Sequence, residues 1–151
     1  AFWVEPGRWM VGESTILLTG VNSVKNVHKT FINVDAGFNL MIRQAMYDSW
    51  HEVIVANKAD VPAAITATVT GPICETGDIL AADRKLPETV TGDIIAVLDA
   101  GAYGYAMSSQ YNSRPRCPEV LVNGNNAELM RRAETYEDMT ATVVYPSWHR
   151  K

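Results

Sequence analysis

The sequence predicts a mainly β domain, a barrel or sandwich with short helices. Short runs rich in β-branched residues recur along the chain and are separated by turn residues. Only fragments show helical periodicity. Many short strands joined by short loops are typical of all-β barrels and sandwiches. With 151 residues, 47% of them hydrophobic and 20% charged, the chain has the length and composition of one folded domain.

Composition also excludes several functions. The net charge of −4 gives no basic face for nucleic acid, and no apolar run approaches the roughly 20 residues of a membrane span. Cys74 and Cys117 could pair, but two cysteines are too few for a disulfide scaffold, so we expect a reduced, cytoplasmic setting. The three histidines lack ligand spacing, so we expect no metal site.

The first half of the chain predicts four strands and little helix. The chain begins with Ala1 rather than a start methionine, and the apolar run 2–4 follows at once as if it were buried. We therefore expect a C-terminal portion of a longer protein. The turn Glu5-Pro6-Gly7-Arg8 follows, then a short helix or crossover over 8–14. Strands are predicted over 15–25 (Gly20 a possible bulge), 30–34, 51–55 and 63–70, with a helical pattern over 40–50.

The second half predicts two more strands, a hairpin and two short helices. The strands are 79–87 and 94–98, the latter continuously apolar and buried on both sides. A helix is predicted after Asp99, reaching about Tyr111. Asn123-Gly124-Asn125-Asn126 is a strong hairpin turn between 119–122 and 128–132. Thr135 and Asp138 resemble an N-cap pair for the last helix.

The loop Gly71-Pro72-Ile73-Cys74-Glu75-Thr76-Gly77-Asp78 concentrates reactive groups between two strands. Neighbouring side chains of a strand point to opposite faces, so Cys74 and Glu75 serve one site only if the backbone leaves the strand there. Pro72 and Gly77 make that departure possible. Cys74 is either a small buried filler or a reactive thiol.

Other candidate residues lie on short helical or turn segments. Arg43 and Tyr47 are four apart and share a helix face, which suits a carboxylate, although a surface arginine beside a half-buried tyrosine is the alternative. Tyr103, between Gly101 and Gly104, follows a buried strand and is either an anion-site or an ordinary turn residue. Glu5 and Arg8 could hold an aromatic nitrogen and an anion, or form a plain surface turn.

Taken together, these segments resemble the C-terminal part of the diaminopimelate decarboxylases. The matching motifs, in order, are Glu5-Pro6-Gly7-Arg8, Val34-Asp35-Ala36-Gly37, Ile42-Arg43-Gln44-Ala45-Met46-Tyr47, the 71–78 loop, Asp99-Ala100-Gly101-Ala102-Tyr103-Gly104, Tyr111-Asn112-Ser113-Arg114-Pro115-Arg116 and Arg131-Arg132-Ala133-Glu134-Thr135-Tyr136. The resemblance covers nearly the whole chain.

That family implies an architecture and a cofactor. Its members are pyridoxal-phosphate decarboxylases of the alanine-racemase fold type, with an (α/β)8 barrel that carries the cofactor lysine and a C-terminal β domain. The resemblance implies that 1–14 is the last barrel segment and crossover, and that 15–151 is the C-terminal β domain. It also implies a homodimer with an active site shared across subunits and an amino-acid substrate.

The resemblance assigns roles to nine positions. Glu5 matches the acid placed against the pyridine nitrogen, and Pro6, Gly7, Arg8 and Tyr103 complete the cofactor-binding set. Arg8, Arg43, Tyr47, Glu75 and Tyr103 match substrate-binding residues. Cys74 matches the proton donor that reaches the active site from the partner subunit.

The pairing of an acid with a base favours diaminopimelate over related substrates. Its far end carries both an ammonium and a carboxylate, which Glu75 and Arg43 with Tyr47 would match. Ornithine and arginine need only acids there. The alternatives are a sister decarboxylase, of the carboxynorspermidine, ornithine or arginine type, and a β domain that binds a ligand or partner without chemistry.

The cofactor lysine of the family has no counterpart here. The segment Ala56-Asn57-Lys58-Ala59-Asp60 is similar in composition but has the wrong order, and we expect Lys58 to face solvent. We therefore expect this piece alone to be inactive and to bind the cofactor poorly. The tail 146–151 departs from the family and receives no role.

Overall fold

The chain divides into two compact units, Ala1–Ser108 and Ser109–Lys151. The computed structural model describes residues 1–149. The boundary after residue 14 implied by the resemblance falls inside the first unit and stays a prediction.

The first unit contains two short α-helices and six strands. The helices are α1 (Gly7–Val11) and α2 (Arg43–Tyr47). The strands are β1 (Leu17–Asn26), β2 (Thr30–Val34), β3 (Val53–Val55), β4 (Ile65–Thr70), β5 (Ile79–Leu86) and β6 (Ile94–Val97). Short 3-10 turns occupy Gly12–Ser14, Ala56–Lys58 and Tyr105–Met107.

The six strands form one sheet in the order β3-β6-β1-β2-β4-β5. All neighbours are antiparallel except β2 and β4, which pair in parallel. The edge strands β3 and β5 approach each other, and Arg84 Nη2 donates to the carbonyl of His51, 3.1 Å away, across the remaining gap. The sheet is therefore a nearly closed barrel, which confirms the predicted β class.

The barrel interior is apolar. Buried residues alternate with less buried ones in β2 and β3, whereas β4 and β6 each have three consecutive buried residues. The centre of the interior is formed by fully buried aliphatic side chains, among them Ile32, Val69, Leu80, Ile95 and Val97. The predicted burial of 94–98 on both sides holds for 95–97 and is wrong at Ile94, which is 41% exposed.

The second unit contains a hairpin and one short helix. β7 (Glu119–Asn123) and β8 (Asn126–Arg131) pair around Gly124, whose φ of 58° is readily adopted by glycine. The helix α3 (Tyr136–Thr140) begins with a capping box, in which Thr135 and Asp138 exchange side-chain and backbone hydrogen bonds. Both the hairpin and the cap pair confirm the predictions.

Three predicted elements differ from the structure. The segment 2–4 is exposed and has no regular structure. The β1 irregularity lies between Val21 and Ser23 rather than at Gly20. The helix predicted over 99–111 is wrong, because Asp99 and Tyr103 adopt left-handed backbone (φ 59° and 63°) and the chain forms only separate 3-10 turns.

Candidate active site

Arg43 lies on α2, and only some of the hydrogen-bond donors of its guanidinium have an acceptor among the residues that the structure describes. Its Nη2 donates to Ser49 Oγ at 3.2 Å. The helix ends at Tyr47, and the following residue, Asp48, has a left-handed conformation (φ 52°) that turns the chain so that Ser49 lies beside Arg43. Nε and Nη1 of Arg43 are buried and have no hydrogen-bond partner among residues 1–149. Buried guanidinium donors need an acceptor, so these two nitrogens are suited to a carboxylate.

Tyr103 faces Arg43 across a small cavity. The Arg43 Cζ atom lies 5.4 Å from the centre of the Tyr103 ring, within the range of a cation–π contact. Together with Tyr47 and Met107, these residues line a cavity of about 280 Å³. The structure thus brings together three of the predicted substrate-binding residues, from α2 and from the 99–104 turn.

The N-terminal segment lies against the same turn. A Cβ atom built on Gly7 would lie 3.3 Å from the Tyr103 hydroxyl, and one built on Gly101 would lie 1.9 Å from the carbonyl oxygen of Val11. The Gly101 amide donates to the Gly12 carbonyl at 3.0 Å. The segment containing Glu5 and Arg8 is therefore placed beside Tyr103, with both charged side chains exposed.

The loop 71–78 is held by a buried carboxylate. Asp78 is 4% exposed, and its two oxygens accept hydrogen bonds from the backbone amides of Phe38 and Ile73, both at 2.6 Å. A Cβ on Gly71 would lie 2.4 Å from both carboxylate oxygens and 2.6 Å from Gly37 Cα. Asp78 therefore fixes the loop against the turn after β2. The sequence indicated Asp78 only as one of the reactive groups of the loop, whereas in the structure its carboxylate binds two backbone amides.

Cys74 and Glu75 are both exposed on this loop. The backbone leaves the strand there, as predicted, with Glu75 Oε1 accepting from the Gly77 amide at 3.1 Å. A Cβ on Gly77 would lie 3.7 Å from Ala45 Cβ, so the loop packs beside α2. The loop and the Arg43 helix are thus adjacent.

Both cysteines are thiols, so the possible disulfide is not formed. Cys117 is partly buried, and this burial raises the pKa of its thiol. A raised pKa disfavours the reactive thiolate, so Cys117 is a poor nucleophile.

Lys58 does not face solvent, so that expectation is wrong. Its Nζ lies 2.6 Å from Asp93 Oδ2 and donates to the Glu88 carbonyl at 2.9 Å. Asp93 also accepts from Asn57 Nδ2 (2.8 Å) and from the Val90 amide (2.8 Å). Lys58 is a partly buried member of a hydrogen-bond network around the buried Asp93, which closes the β5–β6 turn.

Two features that would have suggested other functions are not found in residues 1–149. No group of three or more His, Cys, Asp or Glu side chains is arranged to hold a metal ion. Over the same residues, none of the helices has both the length and the apolar character needed to cross a bilayer.

Comparison with known proteins identifies the domain. Residues 9–101 match the family model for the pyridoxal-dependent decarboxylase, C-terminal sheet domain. The chain belongs to this family of decarboxylases. The match begins just after the Glu5–Arg8 turn and ends just before Tyr103, so it covers α2 and the 71–78 loop.

Curated relatives of high sequence similarity are named diaminopimelate decarboxylase. The diaminopimelate decarboxylase of Archaeoglobus fulgidus is 57% identical over 97% of this chain and 35% of that protein. The diaminopimelate decarboxylase from Helicobacter pylori complexed with L-lysine is 39% identical, with a TM-score of 0.82 over 91% of this chain and 34% of that one. The enzyme from M. jannaschii in complex with L-lysine is 35% identical, with a TM-score of 0.84 over 93% and 32%. The chain spans about a third of the length of these relatives.

Part of a pyridoxal-phosphate site fits the residues present. Glu5 supplies a carboxylate, Arg8 a guanidinium and Tyr103 a phenol, and the Gly7–Tyr103 approach places their segments together. These groups suit a ring nitrogen and an anionic cofactor. Lys58, in the segment whose composition is similar to the family's cofactor-lysine motif, does not fit that role, because its ammonium is paired with Asp93.

Proposed function

We propose that the full-length protein is a pyridoxal-phosphate-dependent decarboxylase that converts meso-2,6-diaminopimelate to L-lysine and CO2 in lysine biosynthesis. The observation that carries this proposal is the Arg43 guanidinium. It presents two buried nitrogens without acceptors beside Tyr47 and Tyr103. Relatives up to 57% identical are named for the same activity.

The far end of the substrate would be recognised by charge pairs. The carboxylate binds Arg43 at a guanidinium nitrogen that has no acceptor within the described residues, with the Tyr47 hydroxyl alongside. The ammonium binds Glu75, which is exposed on the 71–78 loop and would reach the site from the same subunit as Cys74. Leaving either substrate charge unpaired in a closed site is costly, so the two groups together select a substrate with both charges.

Glu5, Pro6, Gly7, Arg8 and Tyr103 would form this chain's part of the cofactor site. When bound, the cofactor supplies an electron sink for the carbon that loses CO2. Glu5 holds a proton at the ring nitrogen, and Arg8 binds the substrate near the cofactor phosphate. The lysine that carries the cofactor is proposed to lie in the remainder of the longer protein, so this chain alone is inactive.

Cys74 would deliver the proton that replaces the lost carboxylate. The thiol gives its proton to the substrate carbon and becomes a thiolate, and solvent restores it. The exposed position of the 71–78 loop supports an action across a subunit boundary. We therefore propose a homodimer with shared active sites, and we propose a cytoplasmic location from the low cysteine content of the sequence.

The test is to express the full-length protein and measure CO2 release and lysine formation from diaminopimelate, ornithine, arginine and carboxynorspermidine. The proposal expects the highest kcat/KM with diaminopimelate. A higher kcat/KM with another substrate would assign a sister activity, and no decarboxylation of any of them would favour a non-catalytic binding domain.

A double variant, Arg43→Gln with Glu75→Asp, tests how the substrate is selected. Charge-assisted hydrogen bonds contribute about 1.5–3 kcal/mol, so the ratio of kcat/KM for diaminopimelate over ornithine should fall by about 10–150-fold. Lys25→Gln, on an exposed position of β1, is the matched control and should leave the ratio unchanged. An unchanged ratio in the double variant would refute the recognition by Arg43 and Glu75.

A further inference from the structure

His51 is a fully buried histidine that the sequence placed only at the start of a strand. Its relative exposure is 0%. Nδ1 lies 2.9 Å from the carbonyl oxygen of Leu98, and because a carbonyl only accepts, Nδ1 carries the proton and donates. Nε2 is buried without a hydrogen-bond partner within the described part of the chain. A second proton there would be a buried donor with no acceptor, so the ring is neutral.

The electrostatic surroundings agree with a neutral ring close to the candidate active site. Burial lowers the pKa of His51; the bond to Leu98 opposes this, and the charges of Arg43 and Arg8 lower the pKa further. Asp99 acts weakly in the opposite direction. Two of the predicted substrate-binding residues are therefore near enough to act on this imidazole.

The Leu98 carbonyl opens the turn that presents Tyr103. Asp99 follows it with φ 59°, and Tyr103 has φ 63°. Left-handed backbone is unfavourable for residues with a Cβ, so such a turn persists only where its surroundings hold it. The amides of Ala100 and Gly101 are held by carbonyls of the N-terminal segment. His51 holds the peptide group at the start of the turn.

His51 also continues directly from the segment that positions Arg43. Ser49, which accepts from Arg43 Nη2, is two residues before it. The His51 carbonyl accepts from Arg84 Nη2, so the backbone at this position is held from the opposite edge of the barrel. His51 therefore connects the two sides of the cavity: its backbone follows the Arg43 segment, and its side chain bonds the start of the Tyr103 turn.

We propose that His51 is a positioning residue of the active site. Its Nδ1–H bond to the Leu98 carbonyl keeps the 99–104 turn in its left-handed form and sets the separation between Arg43 and Tyr103. The consequence for substrate rests on the proposed decarboxylase function, whereas the consequence for the turn does not.

The test compares three variants of the full-length protein. His51→Asn places an amide nitrogen where Nδ1 lies and keeps the donor to Leu98. His51→Gln places the amide nearer the position of Nε2, and His51→Leu removes the donor. We expect Asn to keep hydrogen-exchange protection of the 98–104 peptide and a KM within about threefold of wild type. Gln and Leu should raise the exchange rate and the KM about tenfold or more, with a smaller change in kcat.

The outcomes separate the two proposals. If Asn and Gln behave alike in exchange and in KM, or if Leu leaves both unchanged, the positioning role is refuted. If Leu fails to fold, the comparison of Asn with Gln still decides. A wild-type protein that shows protection in 98–104 but no decarboxylation would refute the proposed function and leave the exchange test of the His51 bond valid.

Discussion

Arg43 stacks over the ring of Tyr103, with the guanidinium carbon 5.4 Å from the ring centre. The two residues come from a helix and a turn that are far apart in the sequence. In this contact Tyr103 has a left-handed backbone, with φ 63°. Backbone strain at this turn therefore accompanies the geometry of the candidate site.

Two substitutions of Tyr103 separate the effect of backbone strain on stability from the effect of the ring on substrate binding. Tyr103→Gly removes the penalty for left-handed backbone, whereas Tyr103→Ala keeps it, and both remove the ring. We expect the glycine variant of the full-length protein to be more stable than the alanine variant by about 1 kcal/mol, measured by urea unfolding. Both should raise the KM for diaminopimelate. Equal stability of the two variants would show that the turn is unstrained.

Gly71 and Gly77 offer a matched pair at the ends of the reactive loop. A Cβ on Gly71 would lie 2.4 Å from the Asp78 carboxylate, whereas the nearest atom to one on Gly77 is 3.6 Å away. Overpacking of this kind costs about 1–3 kcal/mol or more. Gly71→Ala should therefore lower the urea midpoint and Gly77→Ala should leave it nearly unchanged. Similar midpoints would mean that Asp78 does not hold the loop closely.

We expect Asp93 to make a contribution to folding stability that is lost in acid. Burial raises its pKa, but hydrogen bonds from Lys58, Val90 and Asn57 outweigh burial, and the pKa is lowered overall. A lowered folded-state pKa gives stability that is present above the unfolded value of about 3.9 and is lost as the pH falls through the folded value. Asp93→Asn should therefore be less stable by about 1–3 kcal/mol at pH 7, with a smaller loss on acidification than wild type.

The control for Asp93 is Asp60→Asn, at an exposed position in the loop before β4. Urea unfolding of the full-length protein between pH 7 and pH 3 gives the comparison. The Asp60 variant should follow the wild-type curve. If the Asp93 variant follows it too, the Lys58 network makes no pH-dependent contribution.

Cys74→Ala tests the proposed proton donor. General acids contribute about 10²–10⁴-fold to a rate, so kcat with diaminopimelate should fall by that factor while the cofactor absorbance titration stays unchanged. Cys117→Ala is the control, because burial raises the pKa of that thiol and the structure places it outside the 71–78 loop. A Cys74 variant as active as the Cys117 variant would rule out the proton-transfer role.

Much of the fold follows from local patterns. The strand β2 and the β7–β8 hairpin lie where β-branched residues and the Asn-Gly turn predict them, because these signals act between close neighbours. The helix predicted over 99–111 is wrong because Asp99 and Tyr103 have left-handed backbone, and the amides of Ala100 and Gly101 between them bond to carbonyls that are distant in the sequence. No propensity within that segment reports such contacts.

The candidate site shows the same division. Arg43 and Tyr47 could be paired from helical spacing, and Cys74 and Glu75 from the loop that Pro72 and Gly77 permit. Their grouping with Tyr103 came from a resemblance to a family. Asp78 and His51 depend on backbone groups of Phe38, Ile73 and Leu98. Because main-chain donors and acceptors look alike at every position, the sequence carries no signal for these partners.

The strand order of the barrel has a consequence for synthesis on the ribosome. Leu17 of β1 pairs with Val97 of β6, roughly 80 residues later. At about 5–20 residues per second, one edge of β1 waits about 4–16 s for its partner to be made. Its other edge is covered earlier, by β2. The nascent domain therefore exposes one unpaired edge of a partly apolar strand for seconds, and such an edge can pair with another chain during synthesis.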